Sequence, residues 1–276
     1  MKESFALRIL YGTACGRLFL KILVHPAVSK TAGIYLSSKA SKWLVPYYIK
    51  RHKIDMRGME IPPEGFSSFN AFFTRKRTTE SFDMTEGHLI SPCDGFLTAA
   101  PIARQTVLDI KNTRFTLEDL LKDRELADRF DGGSALIFRL TPADYHRYCY
   151  IADGKILFHR KIQGKLHCVR PIALRTVPVF AQNSREYEVI RTKRFGMVVQ
   201  MEIGALLVGK IRNDRAAVSS GNVYKGMEKG YFEFGGSTVI VLLQKGRAYL
   251  NESLFERKND DGKIPVRMGE VVAENV

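Results

Sequence analysis

The chain lacks the roughly 18 unbroken apolar residues that a membrane-crossing helix needs; its apolar N-terminal segment is interrupted by Arg8, Arg17 and Lys21. It lacks a GxxxxGKS/T loop and a GxGxxG opening a helix, which removes two common ways of cradling a nucleotide phosphate. Its four cysteines, Cys15, Cys93, Cys149 and Cys168, form no CxxC pair, and nothing at the N-terminus has the pattern of a cleaved leader. A reducing, cytoplasmic-side location is therefore expected. No fixed-period repeat and no low-complexity linker divides the chain. Acid is also scarce, with 29 Asp and Glu against 43 Lys and Arg and a net charge of +14. An anionic partner follows, whether phosphate head groups, an acidic membrane surface or nucleic acid.

What is present is ordinary globular material. The 276 residues, 45% of them hydrophobic, can bury a full core in one or two domains. The basic excess is concentrated at the start, where residues 1–55 carry ten cationic side chains against Glu3 and Asp55 alone. Residues 4–24 read as a helix and 28–50 as a second, with Trp43, Tyr47 and Tyr48 beside Lys39, Lys42, Lys50 and Arg51. Such amphipathic helices suit an anionic membrane surface, and packing on a core with a solvated basic face remains the other reading. No nucleic-acid-binding module accompanies the charge, so no nucleic acid partner is expected.

Phe66–Arg77 reads as an aromatic helix with a solvated basic end. From about residue 88 the pattern turns to short strands. His88–Ala100 reads as strand, turn, strand with Asp94-Gly95 at the turn, and Thr116 caps a helix with Asp119 three residues on. Strands are expected at 134–140, 148–151, 164–169, 175–181, 186–191, 196–202, 205–212, 228–234 and 238–243. The tail from 256 reads as loosely held until Val266. The expected fold is α+β, a β-rich sandwich or barrel-like core behind N-terminal amphipathic helices, divided into residues 1–60 and 61–276.

Three polar residues fall at strand–turn junctions: Asp94, His146 and Ser237. Brought together, they would make an orienting acid, a base and a nucleophile. Ser237 follows Gly235-Gly236, so its hydroxyl lies beside an accessible carbonyl, its own preceding one. A hairpin turn with serine at its tip is the plain alternative. His146-x-x-Cys149 and His167-Cys168 offer zinc ligands, but neighbouring strand residues face opposite ways and the four do not converge. No metal is expected.

Several of these segments, in this order, resemble the phosphatidylserine decarboxylase family: Phe69-Asn-Ala-Phe-Phe73-Thr-Arg75, Ser-Pro-Cys-Asp94-Gly, Asp144-Tyr-His146-Arg, Ile203-Gly-Ala205 with Val208-Gly209, and Lys225-Gly-Met-Glu228 running to Gly236-Ser237-Thr. The resemblance spans about residues 50–250. It implies a proenzyme in which Ser237 attacks the Gly236 carbonyl. The cut leaves a β chain ending at 236 and an α chain, 237–276, headed by a covalent pyruvoyl group made from Ser237. That cofactor would engage the serine amine of phosphatidylserine and accept electrons as CO2 departs, giving phosphatidylethanolamine. The resemblance further implies that His146 protonates the product carbon and that Asp94 orients the base; Asp144, within the same motif as His146, is a further candidate catalytic residue. Arg75 and Arg147 are candidates for the lipid phosphate.

One position departs from the family pattern. A second histidine usually follows the first by three residues, and Cys149 stands there. Either His146 serves both steps or His167 substitutes. The chain is thus expected to be a peripheral membrane enzyme on the cytoplasmic side, with a homodimer one option for its assembly. A non-catalytic membrane-binding relative, or a decarboxylase of another serine-headed lipid such as archaetidylserine, are the alternatives.

Overall fold

Thr13 decides how the chain begins. It lies between α1 (Phe5–Gly12) and α2 (Ala14–Leu23) in extended backbone, and its hydroxyl oxygen accepts the Gly16 amide proton at 3.0 Å, an N-cap. The single helix expected over 4–24 is therefore two. Gly16 lets them meet closely, since a Cβ there would lie 2.0 Å from the Ile9 carbonyl oxygen. The helix expected over 28–50 is also interrupted. α3 (Pro26–Ser37) stops at extended Ser38, a 3-10 turn spans Lys39–Ser41, and α4 covers Leu44–His52. Buried Ser41 accounts for the break: its hydroxyl bonds back to the Leu36 carbonyl (2.9 Å) and accepts from the Phe69 amide (2.9 Å). That ties the N-terminal helices to α5 (Phe69–Phe73), whose phenylalanines pack with Leu36, Val45 and Ile54 in one cluster. Each buried phenylalanine is worth about 1.5–3 kcal/mol, which holds the helices to the rest.

The computed structural model describes residues 5–103, 116–168, 173, 177–205, 211–214, 221–234, 237–259 and 262–276. Beyond α5 the strands are β1 (His88–Ile90), β2 (Gly95–Pro101), β3 (Ser134–Leu140), β4 (Arg147–Cys149), β5 (Gly154–Ile162), β6 (Arg185–Thr192), β7 (Met197–Ile203), β8 (Ile211–Asn213), β9 (Asn222–Val223), β10 (Glu228–Phe232), β11 (Ser237–Leu243), β12 (Ala248–Leu250), β13 (Ile264–Val266) and β14 (Val271–Asn275). Short helices α6 (Leu117–Leu121), α7 (Arg124–Asp128), α8 (Val179–Gln182) and α9 (Ser253–Glu256) lie between them. Among the described residues these strands form an eight-stranded sheet in the order β13-β2-β3-β11-β7-β6-β5-β9, and two three-stranded sheets, β4-β10-β8 and β1-β14-β12. The fold is α+β. Its sheets are open, and none closes into a barrel.

β11 runs through the middle of the large sheet and is buried along its whole length. Its side chains alternate between two cores. Ile240 and Leu242 join Ile137, Met201, Tyr187 and the residues under α1 and α2. Val239, Val241 and Leu243 join Phe138, Leu140, Tyr148 and Phe232, beneath the β4-β10-β8 sheet.

Two expected hairpins are something else. β1 pairs with β14 while β2 pairs with β3 and β13, so Asp94-Gly95 carries the chain between sheets. β10 pairs with β4 and β8 while β11 pairs with β3 and β7, so the link through 235–236 also joins two sheets. Strands expected at 164–169 and 175–181 are not strands where described: Lys165 makes one isolated bridge to Asn183, and Val179–Gln182 is α8. Residues 206–210 of the expected 205–212 strand, with Val208-Gly209, lie outside the described residues; 211–213 form β8. The Thr116–Asp119 capping box is present at the head of α6. In the tail, β13 pairs with β2 from Ile264, two residues before the ordered point expected at Val266.

Candidate active site

The first residue of β11 is Ser237. Its register partner on β3 is Leu140, and the other flank of β3 at that level carries Gly95, the residue after Asp94. Gly95 has φ +140°, and a Cβ there would come within 2.5 Å of the Arg139 carbonyl oxygen, so only glycine lets the strand begin here. One end of the large sheet thus gathers Asp94, the 140–146 corner and Ser237. By alternation Ser237 faces the core of Val239, Leu140 and Phe232, and Thr238 faces the opposite core. Ser237 is fully buried, and its Oγ has no hydrogen-bond partner among the described residues. A buried hydroxyl in that state is destabilising unless used. Gly235 and Gly236, the latter being the expected cleavage partner, lie outside the described residues.

His146 ends the corner that follows β3. Its carbonyl accepts the Phe232 amide proton at 2.9 Å, which joins it to the strand leading toward Ser237. Its ring is fully buried and sits 3.9 Å from the Phe73 ring, which in turn packs 5.2 Å from Phe234. Nδ1 lies 2.8 Å from the Asp144 carbonyl oxygen. A carbonyl can only accept, so Nδ1 carries the proton and Nε2 is the basic nitrogen.

Asp94 stands close enough to Asp144 for its charge to be felt there. Burial pushes the Asp144 carboxyl above the usual range, Asp94 adds to the rise, and the Thr141 amide 2.5 Å away opposes it. The Asp94 carboxylate is gripped by Arg77 and accepts from the Met268 amide at 2.9 Å.

Comparison with known proteins decides what this corner belongs to. The sequence profile of the phosphatidylserine decarboxylase family matches residues 69–274. The chain belongs to the phosphatidylserine decarboxylase family. Phosphatidylserine decarboxylase proenzyme 2 of Clostridium acetobutylicum is 40% identical over 97% of this chain and 91% of its own length. The phosphatidylserine decarboxylase proenzyme of Ruminiclostridium cellulolyticum is 37% identical over 96% and 90%, and that of Fusobacterium nucleatum 35% over 96% and 89%.

Against the family pattern, Cys149 is the residue out of place. It is buried among Ile90, Tyr145 and Met268, and burial drives its thiol well above the ordinary range. A thiol that stays neutral takes no proton. His167 sits elsewhere. Its amide is held by Asn183 at 2.9 Å and its ring faces Tyr11 at 6.2 Å, on the core side that Thr238 meets. Burial pushes this imidazole down to about 4, with Lys165 adding to the fall. Of the two histidines, His146 is the one tied through its carbonyl to Phe232, a member of the core that Ser237 faces. The two His/Cys pairs therefore lie in different cores, and among the described residues no group of three or more His, Cys, Asp or Glu is placed to hold a metal.

Sequence reasoning missed a buried charge cluster on the same face as Ser237. Lys229 bulges inward from β10, 2.5 Å from Glu202 and 3.6 Å from Glu188, all three fully buried. Tyr150 donates to Glu188 at 3.0 Å and Asn213 to Glu202 at 3.2 Å. Glu202 is the register partner of Val239, one residue pair along from Ser237. The available signal was Glu186-x-Glu188 and Gln200-x-Glu202, acidic or amide residues alternating with the apolar Tyr187, Val189, Val199 and Met201.

Burial pushes the Glu202 carboxyl up to about 7 despite the Lys229 ammonium beside it. The folded chain therefore keeps this proton where the unfolded chain has lost it, so stability must fall as pH rises from the ordinary carboxylate range through about 7. Urea unfolding at pH 5 and pH 8 should show a loss on the order of 2 kcal/mol from this residue. Glu202→Gln should flatten that slope; an unchanged slope would contradict the assignment.

Proposed function

We propose that this chain decarboxylates phosphatidylserine to phosphatidylethanolamine and CO2, after cutting itself between Gly236 and Ser237 and converting Ser237 to a pyruvoyl group. The observation that carries this reading is the buried Ser237 hydroxyl at the head of β11, without a hydrogen-bond partner among the described residues, in a chain of this family. Relatives named proenzymes support the processing step.

In the cut, Ser237 Oγ bonds to the Gly236 carbonyl carbon as its proton passes to a base. The peptide C–N bond then breaks and the nitrogen takes a proton, leaving an ester and a free amine. Loss of the Ser237 Cα proton expels the Gly236 carboxylate and leaves dehydroalanine. Its imine form adds water and releases ammonia. His146 Nε2 is the base the geometry favours, with the Asp144 carbonyl holding Nδ1–H. Asp94 steadies the corner through Arg77 and the Met268 amide.

Position 237 fits the pyruvoyl group: the side chain there is buried and uncharged, so a carbonyl in its place displaces no existing hydrogen bond. When present, the group supplies an electrophilic carbonyl that draws electrons from the departing carboxylate. His146 then returns a proton to the carbon that CO2 leaves, and Phe73, itself backed by Phe234, covers its ring. The test is CO2 release from phosphatidylserine labelled at the serine carboxyl, run beside archaetidylserine. Conversion of phosphatidylserine supports the reading. Processing without conversion of it contradicts the substrate, and an unprocessed chain favours the non-catalytic relative.

Residues 1–60 are proposed as the membrane-surface part, bringing 61–276 to lipid on the cytoplasmic side. Among the described residues no helix is long and apolar enough to cross a bilayer. On α2 and near α4, Leu18 (66% exposed), Ile22 (60%) and Trp43 (64%) stand in solvent within a basic segment. Leu18→Glu with Ile22→Glu should weaken sedimentation with anionic vesicles about tenfold or more while leaving self-cleavage intact, since neither side chain packs in a core. Unchanged sedimentation would contradict this surface.

A further inference from the structure

Two arginines reach one cleft, and their charges are handled differently. The cleft, of about 1010 Å³, lies between the segment after α4 and the end of α5, with Met59, Ile61, Phe66, Arg75, Lys76 and Arg147 among its walls. Arg147 is neutralised: its NH1 donates to both carboxylate oxygens of Glu228 at 2.7 and 2.9 Å, and its Nε donates to the Thr74 carbonyl. Arg75 is not. It is only 4% exposed, and among the described residues its Nε has no hydrogen-bond partner and no carboxylate pairs with it. Its contacts are a long one to the Phe72 carbonyl (3.4 Å) and the Phe72 ring 5.1 Å away. The nearby Asp94 is taken by Arg77. The solvated basic end expected after Phe73 is thus a buried cation. Burial lowers its affinity for its own proton, and Arg77 deepens the effect. Buried cations are nearly always paired, so this one calls for an anion from outside the chain.

We propose that Arg75 anchors the phosphodiester of the substrate head group in this cleft, with Arg147 serving as a structural brace. The inference rests on the decarboxylase reading above. Arg75 follows α5 two residues after Phe73, the ring that packs on His146, and in a phosphatidylserine the phosphate lies only a few bonds from the serine amine. Met59, Ile61 and Phe66 give apolar wall for the start of the acyl chains. Lys42 donates to the Glu64 carbonyl at 3.0 Å, which sets the cleft wall beside exposed Trp43 and hence at the proposed membrane face.

The experiment compares wild type, Arg75→Met and Arg75→Lys on short-chain phosphatidylserine. Both variants should self-cleave, and KM should rise about tenfold or more for R75M, less for R75K, with kcat changed less than KM. Glycerophosphoserine should inhibit wild type competitively and lose that effect in R75M. An unchanged KM in R75M overturns the proposal. Inorganic phosphate inhibiting as well as glycerophosphoserine would make this a free-phosphate site and also overturn it. Wild type that converts no phosphatidylserine contradicts the decarboxylase reading instead. Arg75 is then judged on Ser237→Ala precursors, where glycerophosphoserine should raise the melting temperature only when Arg75 is present. A precursor unable to fold with either replacement would make the charge structural and sink the assignment.

Discussion

Ser237→Ala should remain a single chain of 31.3 kDa and release no CO2 above the blank. The expected loss is complete rather than partial because the substitution removes the proposed nucleophile of self-cleavage and the proposed atom source of the cofactor together. It should also fold without penalty. The hydroxyl it deletes is buried and has no hydrogen-bond partner, so its removal relieves an unsatisfied polar group and leaves a cavity no larger than one oxygen. The variant should melt at or above the temperature of wild-type precursor caught before processing. An S237A chain that is still cut at 236/237 would remove Ser237 from the mechanism. One that fails to fold would make the hydroxyl structural.

His146→Ala carries the second large effect. Loss of a general acid–base group costs about a hundredfold to ten-thousandfold, and here it should be felt twice, in the half-time of self-cleavage and in CO2 release per processed chain. The ring is fully buried against Phe73, so some loss of stability accompanies it, and His146→Asn serves as the better-packed control. His167→Ala should process at the wild-type rate, because its ring faces the core that Thr238 meets. Gel analysis of freshly folded precursors decides between them. Normal processing in H146A with arrest in H167A would reverse the assignment of the base.

The fold was legible where burial is two-sided. Residues 135–138 and 239–243 are continuous apolar runs, and they lie in β3 and β11 at the centre of the large sheet. Partner choice was not legible. Asp94-Gly95 and Gly235-Gly236-Ser237 carry turn chemistry, which says where the chain may bend and nothing about which strand it joins next; both bends lead into a different sheet. β5 was missed because it lies near the sheet edge with His159, Arg160 and Lys161 in its second half, a composition that reads as loop. α8 was read as strand because Val177, Val179 and Phe180 outweigh a helix of four residues.

The site divides in the same way. Ser237 and His146 sit in local motifs, so a single sequence names them. The consequence of Cys149 standing in the histidine position needed the third dimension, since only the alternation of β11 shows which face Ser237 shares. Arg75 needed it most. Its sequence neighbours Lys76 and Arg77 make it look like one of a solvated triplet, yet it is buried, Arg77 is spent on Asp94, and Lys76 is exposed. Lys229 was hidden for the opposite reason: a strand bulge turns it inward against two carboxylates that the alternation of β6 and β7 points at it.

The most direct measurement is the intact mass of the wild-type protein purified from cells and separated under denaturing conditions. The account predicts two products, residues 1–236 and 237–276 of the printed sequence, the smaller blocked to amino-terminal sequencing and carrying a pyruvoyl group in place of serine. One species at 31.3 kDa in a preparation that decarboxylates phosphatidylserine, or a smaller product that begins with an unmodified serine, would contradict it.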